Sequence, residues 1–128
     1  MMAYGRLDAW KTAHEFAVAV YRTTQSFPKS KLYGLTSQIR RAAFSVPANI
    51  AEGSAKRGST EFRRFLDVAL GSFAEVSYGL VFARDVGLLP LADHDRLEPL
   101  RARAGKLTWG LYAAIARRAR KPSSLTEP

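Results

Sequence analysis

The chain has no cysteine and only two histidines. The first absence removes disulfides, thiolate metal sites and cysteine nucleophiles, and it suits a reducing cytoplasm, the location expected for this protein. The histidines, His14 and His94, stand far apart, and no second histidine follows His14-Glu15 at the spacing of a zinc-binding helix. No metal or other cofactor is therefore expected. The N-terminus, MMAYGRLDAWK, has no apolar signal region. No stretch approaches the ~20 apolar residues that cross a bilayer, so no membrane contact is expected. The segment GSAKRGS (53–59) lacks the Gly-Lys-Ser/Thr order and the preceding strand of a P-loop. Ser72 and Glu75 lie three apart but have no base beside them, so they form no nucleophilic constellation. The chain reads as a protein without catalytic residues.

What is present is a helical pattern. At 128 residues and 47% hydrophobic, the chain has the size and apolar content of one domain, 1–128. No segment alternates with period two, and apolar residues recur instead at spacings of three and four. Four helices are expected, at about 8–26, 33–56, 60–86 and 92–120, with a frayed tail at 121–128. Leu7, Trp10, Ala13, Ala17, Val20, Thr24 and Phe27 mark the first seam, and Leu35, Ile39, Ala42, Val46, Asn49 and Gly53 the second. The third, Phe62, Leu66, Ala69, Phe73, Val76, Leu80 and Ala83, is the most heptad-like. The fourth is Leu97, Leu100, Ala104, Leu107, Leu111 and Ile115. Asp8, Ser59 or Thr60, and Asp93 are candidate N-caps, and Gly87 ends the third helix. Pro47 removes a backbone donor and clashes with the Ala43 carbonyl, so a kink is expected there. Short loops favour antiparallel neighbours, giving an all-α, up-down-up-down four-helix bundle.

The net charge is +9. A domain this basic attracts polyanions, most commonly nucleic acid; a solvated basic surface with no dedicated partner is the alternative. The charge is uneven. No acid occurs between Pro99 and Thr126, where Arg101, Arg103, Lys106, Arg117, Arg118, Arg120 and Lys121 lie. Arg96, Arg103, Lys106, Arg117 and Arg120 share nearly one helical face. Lys56, Arg57, Arg63 and Arg64 flank the second loop and form another basic spot. Arginine without interleaved exposed aromatics points to contact with the phosphate backbone rather than to base stacking. Trp10, Phe16, Tyr21, Phe62, Phe65, Phe73 and Trp109 are assigned mainly to core or interface.

A polar set, Gln38, Arg41, Asn49, Glu52 and Glu75, accompanies the second and third helices. It has two readings: a site for a phosphate or base, or a satisfied network across helices or subunits. Buried amides and charges come paired, because leaving one unpaired costs a few kcal/mol. Asn49 on the seam suits the second reading, as a residue that fixes register.

Phe27-Pro28, Tyr33-Gly34-Leu35-Thr36-Ser37-Gln38-Ile39-Arg40-Arg41-Ala42 and Ser45-Val46-Pro47-Ala48-Asn49-Ile50-Ala51-Glu52-Gly53 resemble the four-helix bundle family first named for open reading frames in 23S rRNA intervening sequences. Phe62, Phe65-Leu66, Ala69, Gly71-Ser72 and Glu75 continue the likeness, and Leu7 and Trp10 fit its opening. Leu70 departs from it, standing where a basic residue is common. The resemblance implies a ring-like homopentamer, as do the related accessory proteins of diversity-generating retroelements, which are basic and bind nucleic acid. It implies no activity. The expected function is that of a non-enzymatic homo-oligomer binding RNA or DNA backbone; the alternative is a protein-binding or scaffold oligomer.

Overall fold

The computed structural model describes residues 3–120, which form four long helices and, among the described residues, no strand. The expected tail at 121–128, with Lys121, lies outside the described residues. Helix α1 spans Asp8–Thr24, α2 Ser37–Ser54, α3 Ser59–Asp85 and α4 Leu91–Arg120. Each helix packs on the next in sequence, and α4 packs back on α1.

Two core layers give the directions of the helices. One layer joins Phe16 and Val20 late in α1 with Ile39, Ala42 and Ala43 early in α2, then Val76 and Leu80 late in α3 and Leu97 and Ala104 early in α4. The other joins Ala9 and Ala13 early in α1 with Val46 and Ile50 late in α2, Leu66 and Ala69 early in α3 and Ile115 late in α4. Consecutive helices therefore run antiparallel. Burying these apolar side chains supplies the main drive for folding. Three helical glycines allow the close crossings. A Cβ on Gly53 would meet Phe65 and Phe62, one on Gly79 would meet Ile39, and one on Gly105 would meet Phe73.

Helix boundaries depart from the expected caps. Leu7 and Gly58 precede α1 and α3 without a side-chain cap. Asp8 and Asp93 lie instead within the first turns of α1 and α4, where a carboxylate still favours the helix dipole. Gly87 does end α3. Its φ is 83°, its amide donates to the Arg84 carbonyl, and the Leu88 amide donates to that of Ala83 at 2.9 Å. These two bonds satisfy carbonyls that the helix end would orphan. Helix α2 continues unbroken through Pro47. The backbone departs from helical geometry earlier, at Gly34 (φ −119°, ψ −109°), within a π-turn at Leu32–Thr36. Glycine tolerates that conformation, and the wide turn feeds directly into α2.

Among the described residues α3 is the one helix long and apolar enough, by length and composition only, to cross a membrane, although Asp67 and Glu75 interrupt its apolar run. An 18-residue window within it has a mean hydropathy of 1.4, which meets the length and composition for a span. In this fold α3 packs against α2 and α4, with Leu66, Ala69, Val76, Leu80 and Ala83 buried. Only 22% of the window is fully buried, and its outward positions mix Val68, Tyr78 and Phe82 with Asp67 and Glu75.

Candidate nucleic-acid interface

Seven of the basic residues singled out in the sequence gather at one end of the bundle. The α2–α3 turn carries Lys56 and Arg57, and the first turns of α3 carry Arg63 and Arg64. Antiparallel packing brings the last turn of α4, with Arg117, Arg118 and Arg120, to that same end. Lys56, Arg57, Arg64, Arg117, Arg118 and Arg120 are exposed, and Arg63 is half-buried. Arg64 is the one of this group with an acid partner among the described residues, Glu61 at 3.0 Å. The Lys56 ammonium lies 5.3 Å from the centre of the Phe65 ring, which holds its stem against the helix. Two spots distant in sequence therefore form one positive end.

Arg103 and Lys106 project from the outer side of α4, exposed and without an acid partner among the described residues. Arg96 and Arg101 differ, since Asp93 pairs with the first and Glu98 with the second. The Arg101 hydrogen bond holds the Glu98 carboxyl below its usual range, against a smaller opposing effect of burial. Glu98 in turn raises the Arg101 guanidinium. Trp109 on the same helix is 55% exposed and meets Tyr112 edge-to-face at 5.8 Å. The basic face is therefore not free of exposed aromatics, contrary to the reading of the sequence. Spacing alone places Trp109 off the seam of the fourth helix, and it does fall just outside the buried stripe.

The five-membered polar set does not close into one network inside the protomer. Asn49 is half-buried; its amide donates to the Ser45 carbonyl at 2.8 Å and to the Ser45 hydroxyl at 2.9 Å. Ser45 reaches across to Ser72 on α3, with the hydroxyls 2.7 Å apart. The linked polar group is thus Asn49, Ser45 and Ser72. Gln38, Arg41, Glu52 and Glu75 are exposed and form no side-chain hydrogen bond among the described residues. Gln38 and Glu75 line one groove of about 230 Å³ with Tyr78 and Phe82. Gly71, beside Ser72, is exposed, and a Cβ added to it would meet nothing within 4 Å, so it receives no helix of its own chain.

A second cationic stretch was not singled out from the sequence. Between Glu15 and Glu52 there is no acid, yet Arg22, Lys29, Lys31, Arg40 and Arg41 occur there. Folding brings Arg40 of α2 against the last turn of α1, at the opposite end of the bundle from Lys56. The signal was that acid-free stretch, longer than the one after Pro99.

A comparison with curated proteins finds no match. The 23S rRNA-intervening sequence protein family matches residues 5–110, a span that takes in α1, α2, α3 and most of α4. The motif-bearing stretch of α2, the glycine-mediated crossing onto α3 and the Ser45–Ser72 link all fall inside it, and on that match the chain belongs to the 23S rRNA-intervening sequence protein family.

Proposed function

We propose that the protein is a non-enzymatic homo-oligomer that binds the phosphate backbone of RNA or DNA. The observation that carries the binding half is the convergence of Lys56, Arg57, Arg63, Arg117, Arg118 and Arg120 at one end, without acid partners among the described residues. Such a surface releases counterions when it meets a polyanion, so its affinity falls steeply with salt. The family name is consistent with association with RNA. Self-association is supported by the outward face of α3, which keeps large apolar side chains exposed alongside Asp67 and Glu75 although the helix's own seam is buried. Val68, Tyr78 and Phe82 are exposed along it, an arrangement typical of surfaces that meet another protein. A ring of five, as the resemblance implies, would repeat the positive end around an axis.

At the α2–α3 crossing Asn49 donates to the Ser45 hydroxyl, which shares a hydrogen bond with Ser72; on α1, His14 stacks on Trp10 at 5.0 Å. A second reading, a protein-binding scaffold, draws on the same bare side of α3. Light scattering coupled to size exclusion, with and without a short RNA duplex at two salt concentrations, tests both. A mass shift with RNA that vanishes in salt supports the first reading. A stable oligomer indifferent to RNA, with a protein partner that survives nuclease treatment, supports the second.

A further inference from the structure

Arg40 is a cation held in place without a counter-ion. Its Nε donates to the buried Thr24 hydroxyl at 2.8 Å, and its Nη2 donates to the Tyr21 carbonyl at 3.2 Å. The Thr24 hydroxyl donates its own proton to the Val20 carbonyl at 2.9 Å, so it faces Arg40 purely as an acceptor. The guanidinium lies over the Tyr21 ring, 3.9 Å from its centre. All of these partners are neutral, and no ion pair among the described residues includes Arg40. The end of the α1 dipole offsets part of the charge.

Arg40 also borders two hollows of different character. On one side, a polar pocket of about 190 Å³ contains Thr24, Pro28, Lys29 and Thr36, and no acid lines it. On the other, an apolar groove of about 430 Å³ between α1 and α2 is walled by Trp10, Tyr21, Phe44, Pro47 and Ala48, again with no acid. Phe44 is 69% exposed in that groove. With Nε and Nη2 committed to Thr24 and Tyr21, the guanidinium is fixed in place, its Nη1 makes no hydrogen bond among the described residues and is left to meet a phosphate oxygen, and the neighbouring Lys29 adds to the positive potential there. The groove supplies a flat aromatic surface directly beside it, within the volume range of small-molecule sites.

We propose that Arg40 anchors the phosphate of a nucleoside monophosphate, free or at the end of an oligonucleotide, whose base lies along Phe44 and Pro47 in the α1–α2 groove. This site is separate from the positive end formed by Lys56 and Arg117, and it does not depend on backbone binding there.

Calorimetric titration of the full-length protein tests it, with adenosine monophosphate, adenosine, inorganic phosphate and a tetranucleotide with or without a 5′-phosphate. Adenosine monophosphate is expected to bind at least tenfold tighter than either adenosine or inorganic phosphate. Arg40→Gln should lose that tenfold. Because Arg40 also ties α1 to α2, Phe44→Ala provides a variant outside the core: it should weaken adenosine monophosphate several-fold and leave inorganic phosphate unchanged. A preference for the 5′-phosphorylated tetranucleotide over the monophosphate assigns the site to strand ends, and the reverse order to free nucleotide. No binding of adenosine monophosphate, equal binding of adenosine, or unaltered binding to the Arg40→Gln and Phe44→Ala variants would overturn the proposal. So would a groove already filled by a second copy in the assembled protein, seen as absence of any heat.

Discussion

Gly53 lies so close to Phe65 that a Cβ added to the glycine would stand 2.7 Å from the Phe65 Cβ and 2.9 Å from the Phe62 ring. Helices α2 and α3 cross there with backbone against side chain. Gly53→Ala should therefore destabilise the protein by about 1–3 kcal/mol, the usual cost of overpacking. In an open helix the same change stabilises by up to ~1 kcal/mol. Gly110→Ala, where nothing lies within 4 Å, is the matched control and should gain stability. Urea denaturation of both variants decides; a gain at Gly53 would contradict the close crossing.

The Ser45–Ser72 link is expected to couple α2 to α3 by about 1 kcal/mol, the typical net worth of a neutral hydrogen bond. A double-mutant cycle with Ser45→Ala and Ser72→Ala measures it. Additive effects would mean that the hydroxyls contribute independently. Asn49→Leu should then disturb helix packing and assembly more than nucleic-acid affinity, since its amide bonds are internal to α2.

Replacing Arg117, Arg118 and Arg120 together by Ala should leave helicity intact and weaken binding to an RNA duplex. Each phosphate that the variant no longer neutralises lowers the slope of log affinity against log salt by about 0.9 on a duplex. Circular dichroism and binding isotherms at several salt concentrations test this. An unchanged slope moves the interface to another surface.

Tyr78→Glu places a charge on the bare side of α3, where Tyr78 is 67% exposed and stands ring to ring with Phe82 at 6.3 Å. The protomer should fold normally, while the assembled mass measured by light scattering should fall. An intact oligomer would exclude this side of α3 as the contact.

Glu98 gives a pH dependence of known sign. Its carboxyl is held below the usual range, chiefly by the Arg101 hydrogen bond. The ionised form is thus favoured in the folded state. The resulting stability is present above the unfolded carboxyl's pKa and is lost as pH falls through the lower, folded one. The pair lies near the surface, so the effect is small. Glu98→Gln should flatten the acid limb of a thermal-melt series slightly; a steeper limb in the variant would reverse the assignment.

The helical pattern was legible because the seams carry their own period: Leu66, Ala69, Val76, Leu80 and Ala83 follow it through α3, and all are buried. Helix starts were harder to read. Asp8, Ser59 and Asp93 are good capping residues by type, but the positions before α1 and α3 went to Leu7 and Gly58. Packing and turn geometry fixed those boundaries over local side-chain preference. The non-helical backbone at Gly34 has a similar cause, since the turn from Phe27 into α2 must change direction and glycine permits it. The basic end was half legible: the charges were visible, but their convergence depends on the antiparallel order of α2, α3 and α4. The Arg40 site was illegible, because it arises between positions 19 residues apart, Tyr21 and Arg40.

The uncovered side of α3 has a consequence for how the protein behaves on dilution. In the proposed oligomer, a protomer with Val68, Tyr78 and Phe82 exposed on α3 would gain stability each time a neighbour covered them. Its melting temperature would then belong to the solution as well as to the chain, rising with protein concentration by mass action. Freshly made chains, scarce and unpartnered, would be at their least stable, and a cell that lowered expression of the protein would also weaken each remaining copy.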